Sequence, residues 1–496
     1  MPAAVVAVGA AVVGGAASAA VGAVVGGGVA GAVLGSIAGA AVSIGVSYAG
    51  RAIAGGPQRP DEPRPTFEIP EQEKPEDTLQ GLRGRTLMVV QPITNHKVVY
   101  GRVRVGGPLV FVHTAPSSGS STKDLLHLVV VHAGREVEAI ETVYFNDEAL
   151  PLDGSGNVTG GSFKDHARLF KHLGSAGQGA DGNLISETGG RWTDAHRLRG
   201  RAYTHARLRY DEDAYASGIP NVSAVIQGRK VHDPRTGTTV WSANAALCVL
   251  DYLTAPWGLG ADLATEIDTD SFIAAANICD ESVDTLDGTE PRYQCNGVVD
   301  VGNRPVQSLE ELLTSCAGRL TFVGGKWRLH PGAWQPALLT FNEIQARAPV
   351  TLRPRRSRRE LVNTVRGAFT SPDHAWQATD YPPVSNAGYV SADGGEVAMT
   401  LDLPFTTSHT MAQRIARIAL EQNRREMRLD FPANLAGLRV TAGNTIAVSL
   451  ERFGLIEKPF TVVSWQLTED MGVDLSLTQD APEVYQHAAG LLTPMS

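Results

Sequence analysis

Beyond residue 85, apolar positions recur in short runs separated by Gly, Asp and Asn, a pattern that predicts a chain built mainly of half-buried strands. The runs are VVYGRVRVGG at 98–107, LLHLVVVHAG at 125–134 and VEAIETVYFND at 137–147. In the last, Val137, Ala139, Val143 and Phe145 alternate only partly with Glu138, Glu141 and Tyr144. Residues 148–200 are rich in Gly, Asp, His and Ser and keep no period, which predicts an inserted loop or small subdomain. AYTHARLRYDEDAY and NVSAVIQGRKVHDP predict two more strands, the second ending at the turn marked by Asp233-Pro234 and Thr236-Gly237.

The spacing then becomes helical. It predicts helices over 243–256 and 268–282, with Asp268 or Asp270 as the N-cap of the second. A third helix is predicted over 308–318, opening on the capping-box pattern Ser308-x-x-Glu311 and closing at Gly318. RLTFVGGKWRLHPG reads as a hairpin turning at Gly324-Gly325. The longest amphipathic stretch, 409–427, carries Met411, Ile415, Ile418 and Leu420, and strands return in TIAVSLERFG, KPFTVVSWQLTED and GVDLSLTQD. The expected class is α+β, β-dominated and multidomain.

The N-terminal segment is different in kind. No Asp, Glu, Lys, Arg or His precedes Arg51. Drawn as a helix, it places Gly15, Ala19, Ala23, Gly27, Gly31, Gly35, Gly39, Ser43 and Ser47 in one i, i+4 row. Such a row lets helix backbones approach closely in a bundle or a bilayer. Glycine weakens a lone helix in water by up to about 1 kcal/mol per residue, so the segment calls for neighbours or a membrane; the alternative is a low-complexity tail. Without a basic n-region it is not expected to be a secretory signal. Residues 56–85, rich in Pro and acids, read as an extended linker.

Five units follow: the apolar Gly/Ala-rich segment 1–55; the linker 56–85; a β-rich module 86–220 with its insertion at about 148–200; a central module 221–345 with helices; and a C-terminal β-rich module 346–496 containing helix 409–427.

A formal net charge of −9 denies the chain as a whole the basic footprint of a nucleic-acid binder. The exception is RPRRSRRE, where Arg353, Arg355, Arg356, Arg358 and Arg359 form an inter-subunit strap, a local contact with nucleic acid, or a solvated edge strand whose charge blocks pairing. Cys248, Cys279, Cys295 and Cys316 make no CxxC pair, so buried free thiols in a reducing cytoplasm are expected, and neither a metal nor a cofactor is implied. GxSxG, GxxxxGK[ST] and HExxH are absent, and no GxGxxG is expected between a strand and a helix. The pair Cys295 and His330, and the acidic clusters Asp211-Glu212-Asp213 and Asp280-Glu281, are weak candidates for hydrolase or cation chemistry.

Four stretches carry a more specific signal: GRKVHDPRTGTTVWSANAALCVLDYLTAPWGLG at 228–260, AAANICDE at 274–281, RYQCNGVVD at 292–300 and LTFVGGKWRLHPG at 320–332. With VVYGRVRVGG upstream, and RRELVNTVRGAF at 358–369 and the DGGE turn at 393–396 downstream, they resemble, in order, the tip attachment protein J family of lambda-like phages. The resemblance covers most of residues 85–480. It implies baseplate-hub-like β-barrel modules with helical insertions, assembled as a homotrimer at the tip of a phage tail. It implies as partners the distal tail protein, other tail-tip proteins and the tape measure protein, with DNA in transient passage, and it carries over no catalytic residue. Because J proteins continue well past the equivalent of Ser496, a separate receptor-binding fibre or tip protein is expected below this chain. Two alternatives stay open: a membrane-active or pore-forming tail component touching the host membrane through residues 1–50, and a tail-tip peptidoglycan hydrolase.

Overall fold

The computed structural model describes residues 86–90, 93–118, 122–486 and 488–495, together with the backbone of Val25–Gly26. The predicted helical stripe (Gly15, Ala19, Ala23, Gly27, Gly31, Gly35, Gly39, Ser43) and the linker 56–85 lie outside the described residues. In the remainder, strands outweigh helices, as the alternating pattern predicts.

The run 98–107 reads as one strand but forms two. Gly101 sits at φ +60°, where a Cβ would lie 2.1 Å from the Cys295 carbonyl oxygen, so only glycine lets the backbone turn there. Lys97–Tyr100 pairs antiparallel with Gly297–Asp300, whereas Arg102–Val105 pairs with Val222–Gln227. One short stretch thereby ties two parts of the chain together.

Val222–Gln227 continues into a four-stranded sheet with Ala139–Phe145 and Glu148–Ala149. A five-stranded sheet runs in the spatial order Met88–Val89, Gly107–Ala115, Leu125–Ala133, Ala202–Arg209, Ala167–His172. Val103, Val143 and Ile226 of the first sheet meet Leu128, Val130 and Ala206 of the second in one core. The stretch 148–200 is more than a loop, because it contributes the edge strand Ala167–His172 and the helix α1 (Gly182–Glu187). Its Gly and Asp content hid a strand of only six residues.

The three predicted central helices are present as α2 (Ala245–Thr254), α3 (Thr269–Asp280) and α4 (Pro305–Thr314). Asn244 caps α2 by accepting from the Ala246 and Leu247 amides, and Asp268 caps α3 by accepting from Ser271. Asp270 lies inside the first turn of α3. The expected capping box at Ser308 does not form: α4 starts three residues earlier, with Pro305 in the first turn, and Ser308 is buried in its body. Proline there gives up no intrahelical bond, so it opens the helix ahead of the polar signal. Gly324 and Gly325, at φ +61° and +80°, turn the hairpin Arg319–Val323/Lys326–His330 as expected.

After α5 (Ala387–Asp393), the long amphipathic helix α6 runs His409–Asn423 and stops short of residue 427, because Arg428 already begins the strand Arg428–Ala433. Met411, Ile415 and Ile418 of α6 bury against the same core as Leu247 of α2 and Leu312 of α4. Full burial of each such side chain stabilises by roughly 1.5–3 kcal/mol. The remaining C-terminal strands form a separate six-stranded sheet around Phe341, Phe431, Ile446 and Leu475.

Candidate functional site

The arginine run lies at the open edge of that six-stranded sheet. Thr351–Arg353 is the edge strand, paired antiparallel with Arg428–Asp430, and Arg353 stands directly opposite Arg428. Arg353 reaches Asp430 at 3.4 Å. The Arg356 amide donates to Glu426 Oε2 at 3.2 Å, and its guanidinium donates to the Asn423 carbonyl at 3.4 Å. Arg355, Arg358 and Arg359 are exposed, the last two in a short turn of helix, Arg358–Glu360, capped by Ser357. Burial, and then the charge of Arg428, push Arg356 down to about 10. Linear sequence placed five arginines together; only strand pairing adds Arg428 to them.

A second polar cluster escapes sequence reading because its members are spread over residues 127–207. Asp181 Oδ2 lies 2.9 Å from His205 Nδ1 and 3.0 Å from His172 Nε2, and His205 Nε2 lies 3.0 Å from His127 Nδ1. Beyond it, His127 Nε2 faces Glu187 Oε2 at 3.7 Å, and Glu187 Oε1 accepts from Arg207 at 2.6 Å. Strand alternation puts His127, His205 and Arg207 on the outer face of the five-stranded sheet, where α1 and Trp192 cover part of it. With His205 donating to Asp181 and His127 donating to His205, the His127 Nε2 lone pair is left against a carboxylate. This accounts for two buried atoms without a partner, His127 Nε2 and Glu187 Oε2. Burial acts to raise the Asp181 carboxyl, but hydrogen bonds from His172 and His205 outweigh it and hold the group well below the carboxylate range. The open cleft beside it, about 570 Å³, is lined by Asp153, Lys171, His172 and Asn183 among others.

The remaining candidates take structural roles. All four cysteines are buried and free. Burial pushes the Cys248 thiol well up, with a hydrogen bond to Cys295 adding to it, and pushes Cys279 up to about 12, far from a nucleophilic thiolate. His330 hydrogen-bonds with Thr321 at 3.2 Å. Asp211 caps the Asp213 and Ala214 amides, Asp280 pairs with Arg235, and Glu281 pairs with Arg292. Among the described residues no group of three or more His, Cys, Asp or Glu is placed to hold a metal, and no helix is long and apolar enough to cross a membrane.

Residues 304–465, from α4 to the last long strand, match the family described as "Putative phage tail protein". The baseplate hub protein pb3 of Escherichia phage T5 is 23% identical over 317 residues, which is 59% of this chain; the chain spans about a third of that relative's length, 33%. A solved structure, the virion of a native gene transfer agent particle, contains a chain of the same fold: TM-score 0.55 at 14% identity, covering 91% of this chain and 98% of that one. The 43 kDa tail protein of prophage MuSo2 from Shewanella oneidensis aligns over 78% of this chain and 99% of its own at 11% identity, with a TM-score of 0.30 that is too low to carry an argument. Part of the chain, residues 304–465, is thus similar to a phage tail protein family, and the chain is similar in sequence to a baseplate hub protein and in fold to a chain of a gene transfer agent virion.

Proposed function

We propose that this chain is a structural virion protein, the central hub of the tail tip of a long-tailed phage. In this reading three copies join the tail tube to the tip, close it before infection and open for DNA ejection. The observation that carries the reading is the likeness to a baseplate hub protein over 59% of the chain. The distal tail protein, other tail-tip proteins, the tape measure protein and a separate receptor-binding fibre or tip protein are its partners. It performs no catalysis. An acidic chain, net −9, suits a bore that repels phosphates instead of trapping them. Electron microscopy of virions labelled on this chain, with native mass measurement of isolated tips, tests the reading: label at the tail tip and three copies are expected. Label elsewhere, or a monomer within the particle, would sink it.

The uncharged segment before Arg51 is the working part of a plug in the lumen or, after triggering, of a contact with the host membrane. On this reading virions carrying Gly31→Leu eject DNA poorly, whereas Ala30→Leu virions remain close to wild type, because only the first side chain intrudes where backbones meet. Equal infectivity of the two leaves the segment a tail without that role.

A further inference from the structure

The arginine ridge contains a repulsion that the described residues do not relieve. Arg353 and Arg428 face each other across an antiparallel pair, an arrangement that destabilises a sheet when both carry the same charge. Arg356 joins them, and the Nε atoms of Arg356 and Arg428 are buried with no hydrogen-bond partner among the described residues. Arg355, Arg358, Arg359 and Arg428 make no ion pair among the described residues, so the ridge presents more cation than Glu360, Glu426 and Asp430 neutralise.

The complementary surface is on the same chain. No lysine, arginine or histidine lies between Arg235 and Arg292. Within that interval Asp262, Glu266 and Asp270 are exposed around the start of α3, and Asp284 and Asp287 are exposed in the hairpin Ser282–Asp284/Thr289–Pro291 that follows it. Leu263 and Leu286, 38% and 36% exposed, add apolar area beside these carboxylates. The other acids of the interval are engaged: Asp251 with Arg229, Asp268 with Arg328, Asp280 with Arg235, Glu281 with Arg292 and Glu290 with Arg414.

We propose that the ridge Arg353–Arg359 with Arg428 docks onto the acidic face around α3 of a second copy of this chain. This rests on the trimeric hub reading and names the contact within it. The two patches differ, so the contact is head-to-tail, the kind that closes a ring when its rotation allows. A protein partner fits better than DNA, because Glu360, Glu426 and Asp430 are interleaved with the arginines and would repel a continuous row of phosphates. Arginine suits the role, since its planar fork meets carboxylates in pairs and is weakly hydrated.

The test uses the full chain in sedimentation equilibrium at low and high salt. Arg356→Glu/Arg428→Glu is expected to raise the dissociation constant for self-association at least tenfold. Because Arg428 is half-buried, the exposed pair Arg355→Glu/Arg359→Glu repeats the measurement with little risk to folding, and a fivefold rise is expected. Mixing either variant with Asp262→Arg/Glu266→Arg or Asp284→Arg/Asp287→Arg should restore mixed oligomers with one of the two acidic variants. Trimers insensitive to every ridge variant overturn the contact and leave the hub reading standing, whereas a wild-type chain that stays monomeric overturns both. Loss of binding to a 30-base-pair DNA duplex with self-association unchanged assigns the ridge to nucleic acid and also overturns the contact.

Discussion

His205 holds its Nδ1 2.9 Å from Asp181 Oδ2, with both side chains buried, and thereby fixes the order of protons through the rest of the cluster. His127, diagonal to it on the directly paired strand, is left with a lone pair facing Glu187 and is neutral in the folded chain. Burial, then the neighbouring His205, Arg207 and His113, push His127 down to about 4, with Asp181 opposing.

Acid should therefore loosen this sheet well above the carboxylate range. His127 and His132, both on the strand Leu125–Ala133, are pushed down to about 4, burial being the largest cause for each; His330, in the separate hairpin, is pushed down to about 3 by the same cause. A depressed histidine is neutral in the fold while the unfolded chain takes up a proton near 6.5. Its contribution is complete above about 6.5 and is lost as pH falls toward 4, by about 1.4 kcal/mol per pH unit for each fully buried imidazole. The depressed Asp181 carboxyl acts in the same direction at lower pH, below the unfolded carboxylate value. Hydrogen exchange of Leu125–Ala133, corrected for the intrinsic rate, should quicken between pH 6.5 and 4.5; unchanged protection across that range would refute the neutral-histidine assignment.

Gly101→Ala should destabilise by about 3 kcal/mol or more, since it combines a positive φ with a Cβ placed 2.1 Å from the Cys295 oxygen. The strand pairs on either side of the turn should lose protection together. Gly154→Ala, with nothing within 4 Å, is the control. A variant at 101 that melts with wild type would show that the turn relaxes freely.

Asp251→Ala should cost about 3 kcal/mol, because it leaves the Arg229 guanidinium and the Tyr100 hydroxyl, both now 2.8 Å from its carboxylate, without an acceptor. Asp251→Asn keeps an acceptor for Tyr100 and should cost less. Midpoints of urea unfolding give the ranking, and equal losses for Ala and Asn would assign the whole effect to the ion pair.

None of the four cysteines should react with an aromatic disulfide reagent in the native chain, and all four should react in guanidinium. Single Cys→Ala variants should leave any wall degradation by virions unchanged. Rapid native labelling of Cys295, or lost degradation with normal tails, would instead support a hydrolase.

Sequence alone determined the elements whose cause is local. The Gly324-Gly325 turn, the Asp268 cap and the apolar stripe of α6 depend on residues within a turn or two of one another, so periodicity and capping chemistry locate them. Ser308 shows the limit of that reasoning: its capping-box pattern is real as a pattern, but an earlier proline had already opened the helix. Tertiary structure decided everything that requires distant strands to meet. Gly101 sends one apolar run into two sheets, the Arg102 amide finds Asn296 across 194 positions, and Arg428 completes a ridge begun at Arg353. His127, His205 and Asp181 form a cluster only because alternation places two strand residues on one face and α1 closes over it. Local propensities act over a few residues, whereas register and burial are set by packing of the whole chain, so these contacts leave no mark at fixed spacing in the sequence.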